Sequence, residues 1–117
     1  MKEPYKEYLL EDFCGEDYLL TPMVRTYKNN KSLAIFLYGE DDEWFCDITV
    51  NLPENQLSNP ERKDIAFVDT NNSPWLPAFI EKHGLGKPTG NYGMSGFCVY
   101  PEYEFDLSKL NTDADSF

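Results

Sequence analysis

The chain has 117 residues, with twenty-one Asp and Glu against ten Lys and Arg, a net charge of -11. Such a field repels nucleic-acid phosphates and anionic membrane, and it draws basic surfaces within roughly a Debye length, about 8 Å at physiological salt. Hydrophobic residues make up 41% of the chain and aromatics 15%, so a folded body displays the acid, and a chain of this length needs no disulfide or metal to fold.

The first seventeen residues carry Glu3, Glu7, Glu11, Asp12, Glu16 and Asp17. Apolar Tyr5, Leu9 and Phe13, with Tyr8 and Leu10 beside them, predict a short amphipathic helix with an acidic outer face, stopped by Gly15. Tyr18 to Tyr27 reads as a strand in which Pro22 requires an edge or a bulge. Lys28-Asn29-Asn30-Lys31 is turn chemistry, and Leu33 to Tyr38 is a short apolar strand. Gly39-Glu40-Asp41-Asp42-Glu43 is a hairpin connection.

Trp44 to Leu52 has the cleanest alternation, with Trp44, Cys46, Ile48, Val50 and Leu52 on one face and Phe45, Asp47, Thr49 and Asn51 on the other. Pro53 to Lys63 is a polar loop, and Ile65-Ala66-Phe67-Val68 a brief buried strand. A helix follows over about 73–83. Asn72 or Ser73 would cap it and Pro74 suits its first position. Trp75, Leu76, Phe79 and Ile80 form its buried stripe, His83 lies near its negative end, and Gly84 stops it.

Gly86 to Gly96 reads as an irregular glycine-rich loop that offers Tyr92 and Met94 as contacts. Phe97 to Leu107 returns to strand, with Phe97, Val99, Tyr103 and Phe105 on one face. Residues 108–117 read as a frayed tail. The expected fold is therefore a single α+β domain over 1–117: an antiparallel sheet of about five strands, one main helix packed on a face, and a short N-terminal helix.

Cys14, Cys46 and Cys98 include no CxxC pair, which argues against a disulfide framework. No apolar signal core opens the chain, and no run approaches the roughly 18 apolar residues of a membrane span. The reading is a cytoplasmic protein with no membrane partner. Zinc needs convergent ligands, and Cys14, Cys46, Cys98 and His83 are unpaired in sequence. Glu40 to Glu43 lacks the spacing of a calcium loop. His83 with Cys98 or Asp69 is the only set from which a nucleophilic site is imaginable, and nothing local joins them. The glycines between Gly84 and Gly96 lack the Gly-Lys-Ser/Thr ending of a phosphate loop. Arg25, Lys28 and Lys31 are too few for direct nucleic-acid binding. No cofactor, metal or catalytic residue is expected.

Val68-Asp69-Thr70-Asn71-Asn72-Ser73-Pro74-Trp75 is followed by Phe79-Ile80-Glu81-Lys82-His83-Gly84-Leu85, Pro88-Thr89-Gly90, Ser95-Gly96-Phe97 and Tyr100-Pro101-Glu102-Tyr103-Glu104-Phe105-Asp106. This series resembles a family of small proteins of bacterial plasmids, prophages and integrative elements, over roughly residues 33 to 110. The resemblance implies an accessory protein of a mobile element, a setting that includes acidic anti-CRISPR and antirestriction proteins. It assigns no functional residue, and most of the series has an architectural reading as strand exit, helix start, helix stop and turn.

What remains is recognition through acid. Grooves that hold nucleic acid are lined with Lys and Arg, and carboxylates on a rigid sheet can meet them, bidentately where the partner is Arg. The expected partner-binding residues are Glu40, Asp41, Asp42, Glu43, Glu102, Glu104 and Asp106, joined by the N-terminal acids and anchored by Tyr38, Trp44 and Tyr103. The leading reading is a non-enzymatic inhibitor of a host CRISPR effector or restriction enzyme. The alternative is an accessory domain whose acidity serves solubility.

Overall fold

The computed structural model describes residues 5–112, which form nine strands in two sheets, one α-helix and three single-turn 3-10 helices. The first sheet runs β1 (Tyr8–Phe13), β2 (Glu16–Thr26), β3 (Leu33–Tyr38), β4 (Trp44–Asp47), with β9 (Asn111–Thr112) added beside β2. The second runs β5 (Thr49–Val50), β6 (Ile65–Val68), β8 (Cys98–Phe105), β7 (Gly86–Ser95). Every pairing is antiparallel except β2 with β9. The helix α1 is Leu76–Lys82. The α+β expectation therefore holds, but the strands divide between two sheets.

The division occurs inside the segment that reads as one strand. Ile48 is fully buried, donates its N–H to the Ile35 carbonyl and accepts from the Asp69 N–H. Before it the chain pairs with β3, and after it with β6. The Ile35 N–H turns instead to the Thr49 hydroxyl at 3.1 Å, and the Tyr27 hydroxyl lies 2.9 Å from that same oxygen. The corner thus keeps its buried polar groups bonded, as a broken ladder must. A register shift between Leu37 and Tyr38 also turns Trp44 outward, 61% exposed, while Phe45 joins the buried rings. The face predicted for Trp44 is therefore corrected by that irregularity.

The N-terminal helix does not form. Tyr8, Leu10 and Phe13 lean inward between exposed Leu9, Glu11 and Asp12, and the segment pairs with β2 from Tyr8↔Leu20 to Phe13↔Glu16. A helix this short is marginal alone, whereas pairing satisfies its backbone and stacks Phe13 against Tyr18, Phe45 and Trp75 with ring centroids 5.5 to 6.0 Å apart. Gly86 to Gly96 is likewise strand rather than loop: β7 pairs with β8 through a bulge between Pro88 and Tyr92. Part of the expected tail is also ordered, since Leu110 and Asn111 are buried and β9 pairs with Met23 and Val24. Residues 113–117 of that tail lie outside the described residues.

The main core draws Leu20, Ile35 and Leu37 from the first sheet and Ala66, Val68, Tyr103 and Phe105 from the second. The helix stripe of Leu76, Phe79 and Ile80 lies among them, with Trp75 packed at the border. The helix starts later than its sequence suggests. Asp69 accepts from the Asn72 N–H, the Ser73 carbonyl accepts from the Leu76 N–H, and Pro77 occupies the first turn. Gly84, at φ +67, ends it in the left-handed conformation, as expected. A smaller cluster of Leu52, Phe67 and Tyr100 packs with Leu57 and Cys98 on the other face of the second sheet.

Pro22 sits inside a sheet because β2 changes partners beside it, from β1 at Leu20 to β9 at Met23. The buried Asn111 amide bridges that gap. Its oxygen accepts the Lys6 N–H at 2.8 Å, and its nitrogen donates to the Lys6 and Pro22 carbonyls, each at 2.9 Å. Asn111→Asp keeps the shape but loses both donors, and is expected to cost about 2–4 kcal/mol in a urea titration at neutral pH. An unchanged midpoint would mean that the amide does not join the two ends.

Candidate binding site

Thr21↔Tyr38 is the last pair between β2 and β3. The start of β2 and the β3–β4 hairpin project past that point on the same side, although nineteen residues separate them in sequence. Glu16, Asp17, Tyr18 and Leu19 come from the first, and Gly39, Glu40, Asp41, Glu43, Trp44 and Phe45 from the second. Together they line a cleft of about 390 Å³ that contains five carboxylates and no Lys or Arg. The Trp44 ring is held by its Nε1–H donating to Asp47 at 2.8 Å. Leu19, 44% exposed, adds apolar surface. Phe13, Tyr18, Phe45 and Trp75 form linked ring contacts behind the cleft.

The hairpin that carries these acids is strained. Glu43 N–H donates to the Glu40 carbonyl at 3.2 Å, and Gly39 N–H to the Glu43 carbonyl at 2.7 Å. Between them Asp41 and Asp42 both have positive φ, 60 and 59. A turn with two left-handed central residues favours Asn-Gly; Asp tolerates that conformation better than most side chains but less well than glycine. Here both positions hold carboxylates instead.

Of the other expected site residues, Glu102 and Glu104 lie in β8 of the second sheet and Asp106 directly follows it. Glu102 is not on the surface. It is wholly buried, and its carboxylate accepts the Ser58 N–H (2.8 Å), the Ser58 hydroxyl (2.6 Å), the Thr89 hydroxyl (2.7 Å) and the Asn91 amide (3.2 Å). Burial pushes this carboxyl up, and the Ser58, Thr89 and Asn91 donors outweigh it and hold it below its ordinary value. The alternation that placed it with Glu104 and Asp106 is real, but the 53–63 loop folds over that face. Glu104 is half-exposed and bonded to Arg62, which also holds Asp64. Asp106 is exposed and caps the turn at 107–109 through the Ser108 N–H and hydroxyl, which lower its pKa. Among the N-terminal acids, Glu11 pairs with Lys82 of α1, and Asp17 accepts the Asp12 N–H.

His83, Cys98, Asp69 and Cys46 each have their own local partners, and Cys14 is exposed. The His83 Nε2 lies 2.8 Å from the Leu9 carbonyl, and its ring sits against Tyr8 and Phe79. Cys98 packs in the smaller cluster. Asp69 holds Asn72. Burial is the main reason that the Cys46 thiol is pushed up to about 11, offset only partly by its hydrogen bond to Ser73. No group of three or more His, Cys, Asp or Glu that could hold a metal occurs among the described residues, and no helix there is long and apolar enough to cross a membrane. A wider hollow of about 590 Å³ is lined by Asn29, Asn30, Asn51 and Asn55, but Asn51 bonds both Asn29 and Asn30.

A domain-of-unknown-function model, DUF4313, matches residues 21–116, and the chain belongs to that family. No curated protein and no solved structure matches it. The matched span begins at Thr21. β1 and the Glu16–Leu19 wall of the cleft therefore lie outside it, while the hairpin wall lies inside.

Sequence reasoning named Trp44 and the hairpin acids but missed Leu19. It named Glu16 and Asp17 as a separate acidic patch and did not place them beside the hairpin, because that juxtaposition depends on the pairing of β2 with β3.

Proposed function

We propose that this protein is a non-enzymatic, stoichiometric inhibitor from a mobile genetic element. It binds the basic nucleic-acid groove of a host defence complex, first a CRISPR effector and second a restriction enzyme. The single observation that carries the reading is the cleft, where two acid groups distant in sequence meet around a fixed, exposed tryptophan. Carboxylates take Arg bidentately, and an indole face takes the guanidinium plane. The Asp-Asp turn supports the same reading, since strain retained in a surface hairpin points to a use for its side chains. The setting comes from the sequence resemblance to proteins of plasmids and prophages.

The test is inhibition of nucleic-acid cleavage by purified effector or restriction enzyme, with affinity measured across salt. Affinity should fall as salt rises, and an affinity indifferent to salt would overturn the electrostatic mechanism. Lysine at Asp41, Asp42 and Glu43 together should weaken binding by roughly tenfold or more. Asp41→Asn with Asp42→Gly should weaken it too, while raising stability through relief of the turn. An accessory domain whose acid serves solubility would gain that stability and lose no binding.

A further inference from the structure

In a chain so charged, the stretch from Pro88 to Pro101 contains no Asp, Glu, Lys or Arg. It forms most of the β7–β8 hairpin, where Tyr92 faces Pro101 and Met94 faces Val99. Alternation puts these four side chains on the same face of the sheet as Tyr103 and Phe105. Those two are covered by the main core. Toward the hairpin tip the cover ends: Tyr92 is 61% exposed, Met94 57% and Val99 50%, and Phe97 at the turn is wholly exposed.

The half-exposed Tyr92, Met94 and Val99 with the wholly exposed Phe97 make an apolar patch within the roughly 300–600 Å² range of the largest patches on monomers, which are often functional. Two such patches face to face would bury about 600–1,200 Å² in total, the range of weaker, concentration-dependent interfaces. Charge selects the occupant. A basic partner finds no carboxylate between Pro88 and Pro101; Glu102, next along β8, is buried on the opposite face, and Glu81 of α1 is bonded to the Tyr103 hydroxyl. A second copy also carries a charge of -11, so two chains meet with least repulsion where both are neutral. The strand edge itself is closed at Met94, because the Gln56 side chain accepts its N–H at 2.7 Å and donates to its carbonyl at 3.1 Å. Contact is then face to face rather than by extension of the sheet.

We infer that the uncharged β7–β8 face binds a second copy of this chain in an isologous two-fold dimer, with Phe97 and Val99 at its centre. The test is the mass of the full-length chain in solution, by light scattering over a range of concentration and salt. The wild type should run at twice the chain mass, and its dimer should tighten with salt as the repulsion between copies is screened. Phe97→Asp and Val99→Lys, each at an exposed position, should each give the single-chain mass with circular dichroism and Tm of the folded chain unchanged. A wild type that stays monomeric overturns the inference, whatever else covers the patch. So does a dimer that both substitutions leave intact.

Discussion

Glu102→Ala is expected to destabilise the fold by about 3–5 kcal/mol, because it removes several charge-assisted hydrogen bonds of roughly 1.5–3 kcal/mol each and only part of that loss is recovered by water. The carboxylate ties Ser58 of the 53–63 loop, Thr89 and Asn91 of β7 to the central strand β8. Its loss should therefore free the loop and the bulge together, visible as lost amide protection in both. Glu104→Ala removes a half-exposed partner of Arg62 and should cost under about 1 kcal/mol. Equal effects from the two substitutions would show that Glu102 holds nothing. The pH dependence follows from the depressed pKa. The folded chain binds the proton less readily than the unfolded chain, so this contribution is fully present above the unfolded value, near 4.3. It is lost as pH falls through the folded value. Urea midpoints should drop below that range in the wild type and show a smaller acid-side drop in Glu102→Gln.

Gly93→Ala should be the second large effect, about 2–3 kcal/mol. A Cβ there would stand 2.6 Å from a Leu52 methyl and 2.8 Å from the Phe67 ring. Both side chains are buried in the smaller cluster, so neither can withdraw freely. Gly93→Val should prevent β7 from seating. Leu52→Ala makes room on one side, so the double variant with Gly93→Ala should be less destabilised than the sum of the two singles. Additive losses in thermal unfolding would show that the glycine is present for some reason other than space.

Gly93 also explains why β7 is hard to read from sequence. Glycines at 86, 90, 93 and 96 look like a loop when only local propensity is weighed. In the fold, position 93 must lack a side chain because another element lies against it, and pairing with β8 supplies the order that propensity withholds. The N-terminal segment fails in the opposite way: its apolar spacing suits a short helix, but β2 and the aromatic cluster offer more than a lone turn of helix. Local patterns did locate β3, β6 and the stripe of α1, most of whose apolar residues are buried.

Glu102 shows the limit at the level of the site. Alternation along β8 is legible, but which face a loop will cover is not, so three acids of one strand look alike until Ser58 arrives over one of them. The cleft has the same character, since Glu16 and Glu43 meet only through the antiparallel pairing of β2 with β3.

By itself the sequence determined the acidity of the surface, the α+β class, the turn that carries Asp41 and Asp42, and the uncharged stretch from 88 to 101, because composition and short-range spacing are properties of the chain. The tertiary structure decided the division into two sheets at Ile48, the burial of Glu102 and the meeting of the acids around Trp44. Each of these depends on contacts between segments far apart in sequence, where burial and backbone pairing outweigh local preference.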